Sequence, residues 1–532
     1  MEDHAWIGTR QAAAHIGVSP STLYRMENLK LISSIRTPGG QRRFRKQDLD
    51  AFIKSSSDRK SPCNPRQYIT EEERKRNLSV SEPTELLFND RFDVDGLIAT
   101  LKPDAFPIQS ESDNYAATGS VREWLDEWDF RNSRTKFYSH GFHMYPAMFI
   151  PQLARKLILE YSEKGEHVLD PFCGSGTTLV ESLLLGRNAF GIELNPLAVM
   201  IAQAKTAPLG TETLLCSLSE ILKEYAANRQ TAALPNFKNR SFWFSDGVSR
   251  EIARIKNALD CCRSENLKRF FMVSLSEVIR EVSFTRDREF KLFRDERKLK
   301  GDFAPDVLHR FFSKSVESIR GMAEFTAALG NSQPPSVRIV HGDSRQKHAE
   351  DDSVDLVLTS PPYGDSRTTV AYGQFSRLPA QWFGLSDDNT TGLDSKLLGG
   401  GGSRQARHDV ASRSQTLRMT LKAIAERDNE RANEVLAFYS DFEMCMKWLV
   451  QAVRPRGHII MVVGNRTVKD VVIKMDEIIM EMGDTFRVAA KGVLYRNIPN
   501  KRMPSKNSPS NRPGQVSSTM TRESIVILQR PG

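Results

Sequence analysis

Asp170-Pro171-Phe172-Cys173-Gly174-Ser175-Gly176-Thr177-Thr178 is the stretch whose reading decides the fold. His167-Val168-Leu169-Asp170 runs into it as a short apolar strand, and residues 177–185 continue from it as a helix. Gly174 and Gly176 permit the tight turn between the two and let a ligand approach the backbone closely. The helix that follows offers its unpaired amino-terminal amides. Residues 188–193 read as a second strand, and 196–205 as a helix that opens on Pro196. Glu193 stands about 20 positions past the glycines, where a carboxylate accepts hydrogen bonds from both hydroxyls of a ribose. A nucleoside cofactor is the expectation. No lysine follows Gly176, which disfavours a phosphate-cradling loop, and the third glycine of a nicotinamide fingerprint is missing.

Outward from this turn, strands are expected at 337–341, 354–359, 457–463 and 523–528. Strands alternating with helices predict an α/β domain whose mostly parallel sheet is covered on both faces. A long helical block at 206–335 and an irregular block at 364–432 interrupt the rhythm, and both are candidates for target recognition. Within the second, Leu398-Gly399-Gly400-Gly401-Gly402-Ser403 reads as a flexible loop. The chain has 532 residues, enough for two or three domains. The expected division is a small domain at 1–54, a linker and lead-in segment rich in Ser, Pro, Lys and Arg at 55–134, and the α/β domain at 135–532.

The composition is that of a globular chain, 39% hydrophobic and 27% charged, with a net charge of +9 that suits a polyanionic partner. No run of about 18 apolar residues predicts a membrane span, and residues 1–10 lack the apolar core of a secretory signal. The 6 cysteines are scattered and form no Cys-x-x-Cys pair, so no metal site is expected. Sparse cysteine in a long chain points to a reducing cytoplasm; a bacterial cell and association with the nucleoid are separate expectations. Nothing in the sequence sets an oligomeric state.

A second informative stretch is Asp355-Leu-Val-Leu-Thr359-Ser360-Pro361-Pro362-Tyr363, an apolar strand running into a turn that two prolines stiffen. Together with the Asp170–Thr178 turn it resembles the DNA amino-methyltransferases, which make N4-methylcytosine and N6-methyladenine. Asp170–Thr178 is similar to their motif I and Gly191-Ile-Glu193-Leu-Asn-Pro196 to motif II. His140-Gly-Phe-His143-Met-Tyr-Pro146-Ala147, with a helix at 150–158, resembles motif X, which closes over the methionine part of the cofactor. His341-Gly342-Asp343 resembles the segment whose Asp holds the adenine amino group. The likeness covers roughly 135–205 and 337–530. It implies a Rossmann-like fold and S-adenosylmethionine, with Pro146, Asp170, Phe172, Gly174, Ser175, Gly176, Thr177, Thr178, Glu193 and Asp343 as the cofactor residues.

Ser360, Pro361, Pro362 and Tyr363 match the family's motif IV at every position and carry the implied catalysis. The chemistry suits these residue types. An exocyclic amine is a poor nucleophile because its lone pair is delocalised into the ring. The Ser360 side chain and the Pro361 carbonyl can accept its two N–H groups and aim the lone pair at a methyl donor, while proline donates nothing in competition. The base must leave the duplex to be reached, at a cost on the order of a few kcal/mol. Stacking on Tyr363 would return about 1–3 kcal/mol. Serine at the first position resembles the cytosine-N4 enzymes; Asp or Asn is commoner among the adenine-N6 enzymes. A hydroxyl and a carboxylate both accept, so physics alone does not separate the two targets sharply. The first expectation is therefore cytosine-N4 methylation of double-stranded DNA. Adenine-N6 methylation, RNA base methylation and a regulator with a degenerate methyltransferase fold are the alternatives.

The amino-terminal residues resemble a MerR- or excisionase-like winged helix-turn-helix. Residues 11–16 are a first helix, Gly17-Val18-Ser19 the turn, 20–29 the second helix, and Arg36-Thr-Pro-Gly-Gly40-Gln-Arg42-Arg43-Phe44-Arg45-Lys46 the wing. The resemblance implies Thr22 and Arg25 near base edges and Arg36, Arg42, Arg43 and Arg45 on phosphates. Two further basic stretches are ambiguous. Residues 286–300 interleave aromatics and read as a solvated helix face, and the segment from Arg496 to Arg512 is a candidate channel lining or a surface loop.

Overall fold

A computed structural model describes residues 6–15, 34–36, 42–47, 49, 122–124, 126–131, 133–228, 233–287, 289–301, 303–330, 333–363, 370–385, 392–400, 408–498, 506–507, 517–518 and 522–532. The chain divides into two units, Met1–Ser81 and Glu82–Gly532.

In the first unit, strand β1 (Trp6–Gly8) leads into helix α1 (Thr9–His15), and β2 (Ser34–Arg36) and β3 (Arg42–Arg45) follow. β3 lies between the other two and runs antiparallel to both, with Arg36 opposite Arg42 and Ile7 opposite Phe44. Phe44, Ala12 and Leu49 are fully buried and form its small core. The expected wing is thus the β2–β3 hairpin. The expected second helix, with Thr22 and Arg25, lies outside the described residues, as do residues 37–41 and nearly all of the expected linker.

The second unit is built on a sheet of 8 strands. In chain order these are β4 (Arg122–Trp124), β5 (His167–Asp170), β6 (Asn188–Glu193), β7 (Val337–His341), β8 (Val354–Thr359), β9 (Val453–Val463), β12 (Ala489–Asn497) and β15 (Arg522–Gln529). Two small antiparallel pairs, β10 (Arg466–Val468) with β11 (Val471–Ile473) and β13 (Lys506–Asn507) with β14 (Ser517–Ser518), stand outside it. The order across the sheet is β4-β12-β15-β9-β8-β5-β6-β7. β5 to β9 are parallel, and β15 is reversed between β9 and β12. The sequence reading found neither β12 nor β4. Ala489, Ala490 and Lys491 open β12 as three exposed residues in a row, and a register shift follows Ala490, so its alternation is broken.

Both faces of the sheet are buried, which is why its central strands are continuous apolar runs. Along β8, Leu356 and Leu358 pack against helix α2 (Pro151–Tyr161), while Val357 packs on the opposite face. Ile460 and Val462 of β9 share the α2 face, and Ile459, Met461 and Val463 share the other. That second face is covered by α11 (Asn429–Ala452) and α12 (Met475–Thr485). Helix α3 (Thr177–Leu184) follows β5 and α4 (Pro196–Thr206) follows β6. The block at 206–335 contributes α5 (Thr211–Ala227), α6 (Asp246–Ala258), α7 (Glu265–Glu281) and α8 (Val307–Leu329). Ser245, Ser264 and Asp306 cap the last three by accepting backbone N–H bonds. A phenyl-rich core of Phe270, Phe271, Phe311 and Phe325 joins them to α3, α4 and α9 (Tyr372–Phe383). Helix α10 (Gln415–Ala425) packs beside α11.

Candidate active site

The sheet changes direction at β5, with β6 and β7 on one side and β8 and β9 on the other. In an open α/β sheet, ligands bind outside the carboxyl ends of the strands at such a point. Asp170 closes β5, Glu193 closes β6, His341 closes β7 and Thr359 closes β8. Above these ends opens a cleft lined by Asp170, Glu193, Asp343 and Ser360.

Within the glycine turn, Gly174 has φ +50° and Gly176 φ +84°. A Cβ at Gly176 would stand 2.9 Å from the Ala202 Cβ of α4, so glycine is required there by conformation and by packing. Asp170 Oδ1 accepts from Phe172 N at 3.0 Å and from Thr359 Oγ1 at 2.7 Å, and its Oδ2 accepts from Thr178 Oγ1 at 2.6 Å. Asp170 therefore ties the glycine turn to the residue before Ser360. Burial pushes its carboxyl up to about 6 despite these bonds. Glu193 accepts from Gly174 N at 2.9 Å and from Asn195 N at 2.8 Å, and burial pushes it up to about 7.

Asp343 is held differently. Burial raises its carboxyl, but the backbone N–H and guanidinium of Arg345 outweigh that and hold it below the usual range. Arg345 also donates to Asp441 Oδ2 at 3.0 Å and to the Lys396 carbonyl at 3.1 Å. Asp441 Oδ2 accepts from Gly399 N at 2.9 Å. The glycine-rich segment expected to be flexible is thus fastened where it is described. Leu398 is buried, Gly399 packs on Phe438, and Leu397 and Leu398 form part of the cleft wall. Residues 401–403 lie outside the described residues.

The residues expected to hold the cofactor line this cleft, with the exception of Gly176, which sits against α4. Ser360 and Pro362 line it too, Pro361 is buried, and Tyr363 packs against the α11 face of the core. The glycine turn and the Ser-Pro-Pro-Tyr turn thus meet in one cleft. Ser360 Oγ stands 3.2 Å from Tyr363 Oη.

Several side chains escaped the sequence reading. Asn195 caps α4, accepting from Leu197 N at 3.1 Å, and donates to Tyr145 Oη at 2.9 Å and Ser376 Oγ at 2.7 Å. The Asn-Pro pair is the usual signal of such a cap. Tyr145 stacks on Tyr372 with ring centres 5.9 Å apart, and both line the cleft. No local pattern marks Tyr372. Lys205 is fully buried behind the turn, 3.5 Å from Ser175 Oγ, and burial pushes its ammonium down to about 7.

Of the expected nucleic-acid contacts, Arg42, Arg43 and Arg45 stand on β3, and Arg36 of β2 is in register with Arg42. Arg496 is not a channel cation. It is 1% exposed and pairs with Glu523, because β12 carries it into the domain interior. Residues 286–300 are not one helix face either. Asp295 caps a short helix at Glu296–Lys300, and Arg297 and Lys298 pair with Asp295 and Asp287. Among the described residues no group of three or more His, Cys, Asp or Glu is placed to hold a metal, and no helix is long and apolar enough to cross a membrane.

Residues 57–204 match the DNA methylase family, 6–57 a helix-turn-helix domain, and 142–267 an RMKL-like methyltransferase domain. The type II methyltransferase M.MvaI of Kocuria varians is 40% identical over 423 residues, 75% of this chain and 93% of that protein. The chain belongs to the type II DNA methyltransferase family, of the N4/N6 type. This methyltransferase is also similar to M.MjaII of Methanocaldococcus jannaschii, 22% identical over 346 residues, 46% of the chain and 64% of that protein. Among solved structures, the rRNA methyltransferase AviRa of Streptomyces viridochromogenes covers 76% of the methyltransferase and 93% of itself, at 12% identity and a TM-score of 0.26. A likeness that slight carries no argument.

Proposed function

We propose that the chain transfers a methyl group from S-adenosylmethionine to the N4 amine of a cytosine flipped out of double-stranded DNA. One observation carries the reading: the Asp170–Thr359 hydrogen bond fastens the glycine turn to the strand end that presents Ser360. Donor and acceptor sites then face a single cleft, and a methyl group can pass between them directly.

The cleft chemistry fits the cofactor. Glu193, with both oxygens fixed by backbone amides, is set to accept from ribose hydroxyls. Asp170, Glu193 and Asp343 give the cleft an acidic side that suits a cation, and Phe172, Ile192 and Leu398 give it apolar surface. S-adenosylmethionine supplies an activated methyl group on a cationic sulfur when bound. The chain's own work is orientation. Ser360 and the Pro361 carbonyl accept the amine's N–H groups, the two prolines keep that pair rigid, and Tyr363 offers a face for the extruded base. Orientation of this kind is worth effective molarities of roughly 10⁵ M or more. Serine at the head of the motif is what favours cytosine. The β2–β3 hairpin, with Arg43 and Arg45, would hold phosphates of the duplex.

The test is to methylate mixed-sequence DNA with isotope-labelled cofactor, digest it to nucleosides and identify the labelled one by mass spectrometry. Label in N4-methyldeoxycytidine is expected. Label only in N6-methyldeoxyadenosine would move the target to adenine while keeping the site.

A further inference from the structure

Ser360 is a neutral hydroxyl doing work that a carboxylate can also do, and the structure holds a carboxylate one side chain away. Tyr363 Oη lies 3.2 Å from Ser360 Oγ on one side and donates to Glu523 Oε1 at 3.5 Å on the other. The sheet explains the meeting. β15 is reversed, so its first residues lie at the edge where the parallel strands end. Ser524 pairs with Val463, the last residue of β9, and Thr359 at the end of β8 pairs with Met461 of that same strand. Glu523, 160 positions from Tyr363 in sequence, is thereby delivered to the Ser-Pro-Pro-Tyr turn.

The other oxygen of Glu523 is gripped by Arg496. Arg496 is itself almost fully buried and donates to the Trp128 carbonyl at 2.9 Å and the Asp129 carbonyl at 3.3 Å. Burying such a pair is expensive and seldom stabilises a fold relative to apolar packing. What it does here is hold one carboxylate oxygen toward Tyr363.

Hydrogen-bond direction then follows from the ends of the chain of groups. An ionised carboxylate only accepts, so the Tyr363 proton points to Glu523. The tyrosine oxygen is left to accept, and the Ser360 proton points to it. Both lone pairs of Ser360 remain for an incoming N–H.

We propose that Glu523, acting through the Tyr363 hydroxyl, is a positioning residue that orients and polarises Ser360 as the acceptor of the target amine. The inference rests on the reading of Ser360 given above. It also supplies a destination for the proton that methylation displaces. As the N–C bond forms and the S–C bond breaks, the sulfur leaves neutral and the nitrogen carries a surplus proton. That proton passes to Ser360 as the serine proton moves to Tyr363 and the tyrosine proton moves to the Glu523 carboxylate. The charges balance with no other reactant.

The test compares kcat, KM for DNA and cofactor affinity by calorimetry in Tyr363→Phe, Glu523→Gln and the double variant, with Ser360→Ala alongside. Tyr363→Phe keeps the ring and leaves the Arg496–Glu523 pair intact, so it serves even if Glu523→Gln folds poorly. Each single change should lower kcat about 10- to 100-fold. KM and cofactor affinity should stay within threefold of wild type. The double variant should be no worse than the weaker single, because both break one chain of bonds. Ser360→Asp placed on Tyr363→Phe should regain at least threefold in kcat, since the carboxylate is then delivered directly. A Tyr363→Phe enzyme within twofold of wild type, or losses that multiply in the double variant, would overturn the proposal while Ser360→Ala remains inactive. An active Ser360→Ala enzyme would instead overturn the reading of the site.

Discussion

The two ends of the cleft are built by different means. At the β5–β6 end, Asp170 and Glu193 are fixed by amides and hydroxyls that lie within about a score of residues of one another, apart from Thr359. At the β8 end, the Ser360 side chain depends on Tyr363 and, through it, on Glu523 of β15, two strands away in the sheet. The glycine-turn end is shaped mostly by local backbone. The Ser-Pro-Pro-Tyr end is shaped by tertiary contacts between side chains. A methyltransferase of this design should therefore lose cofactor binding and turnover through separate sets of residues.

The largest separation should come from Ser360→Ala. Removing one oriented hydrogen-bonding partner of a reacting group typically costs 10²–10³ in rate. We expect at least about 100-fold loss of labelled-methyl incorporation, with cofactor affinity by calorimetry unchanged; weakened cofactor binding would merge the two ends. Glu193→Gln should do the reverse. Losing a charge-assisted acceptor costs about 1.5–3 kcal/mol, roughly 10- to 100-fold in cofactor affinity. The rate at saturating cofactor should stay within a few-fold of wild type.

A smaller effect should appear with pH. Glu193 is raised to about 7 and Asp170 to about 6 by burial, so both gain protons as pH falls through that window. Ribose hydroxyls and a cationic sulfur favour the carboxylate form, so binding should release protons near pH 7 and weaken several-fold as pH drops to 6. Calorimetry in two buffers of different ionisation enthalpy measures the release; uptake of protons would contradict the assignment. The smallest effect concerns neither end. Arg43→Ala should weaken binding to all DNA sequences alike and reduce the slope of affinity against salt by about 1. It should leave the single-turnover rate on bound DNA unchanged.

The same contrast explains what the sequence made legible. Strands β5, β6 and β8 and the glycine turn were readable because they are short, largely apolar runs bounded by glycine, proline and acidic residues. Leu398 and Gly399 were read as part of a flexible loop because four glycines in a row suggest freedom, yet Leu398 is buried in the cleft wall and Gly399 is fastened. Asp441 and Arg345, which fasten it, come from elsewhere in the chain. Arg496 looked like a surface cation because its strand begins with exposed residues and a register shift. Asp170 was expected to face the cofactor. It does line the cleft, yet its bonds are spent on Phe172, Thr178 and Thr359, a role no local pattern announces. Glu523 was legible only as part of a strand, since nothing near it in sequence points to Ser360.

A crystal structure of the protein with a non-reactive cofactor analogue and its DNA tests the central claim most directly. The account predicts the analogue's sulfur position beside the 170–178 turn and the extruded cytosine N4 about 3–3.5 Å from Ser360 Oγ and the Pro361 carbonyl, in line with the methyl donor. An analogue seated outside that turn, or a flipped base held away from Ser360, would contradict it.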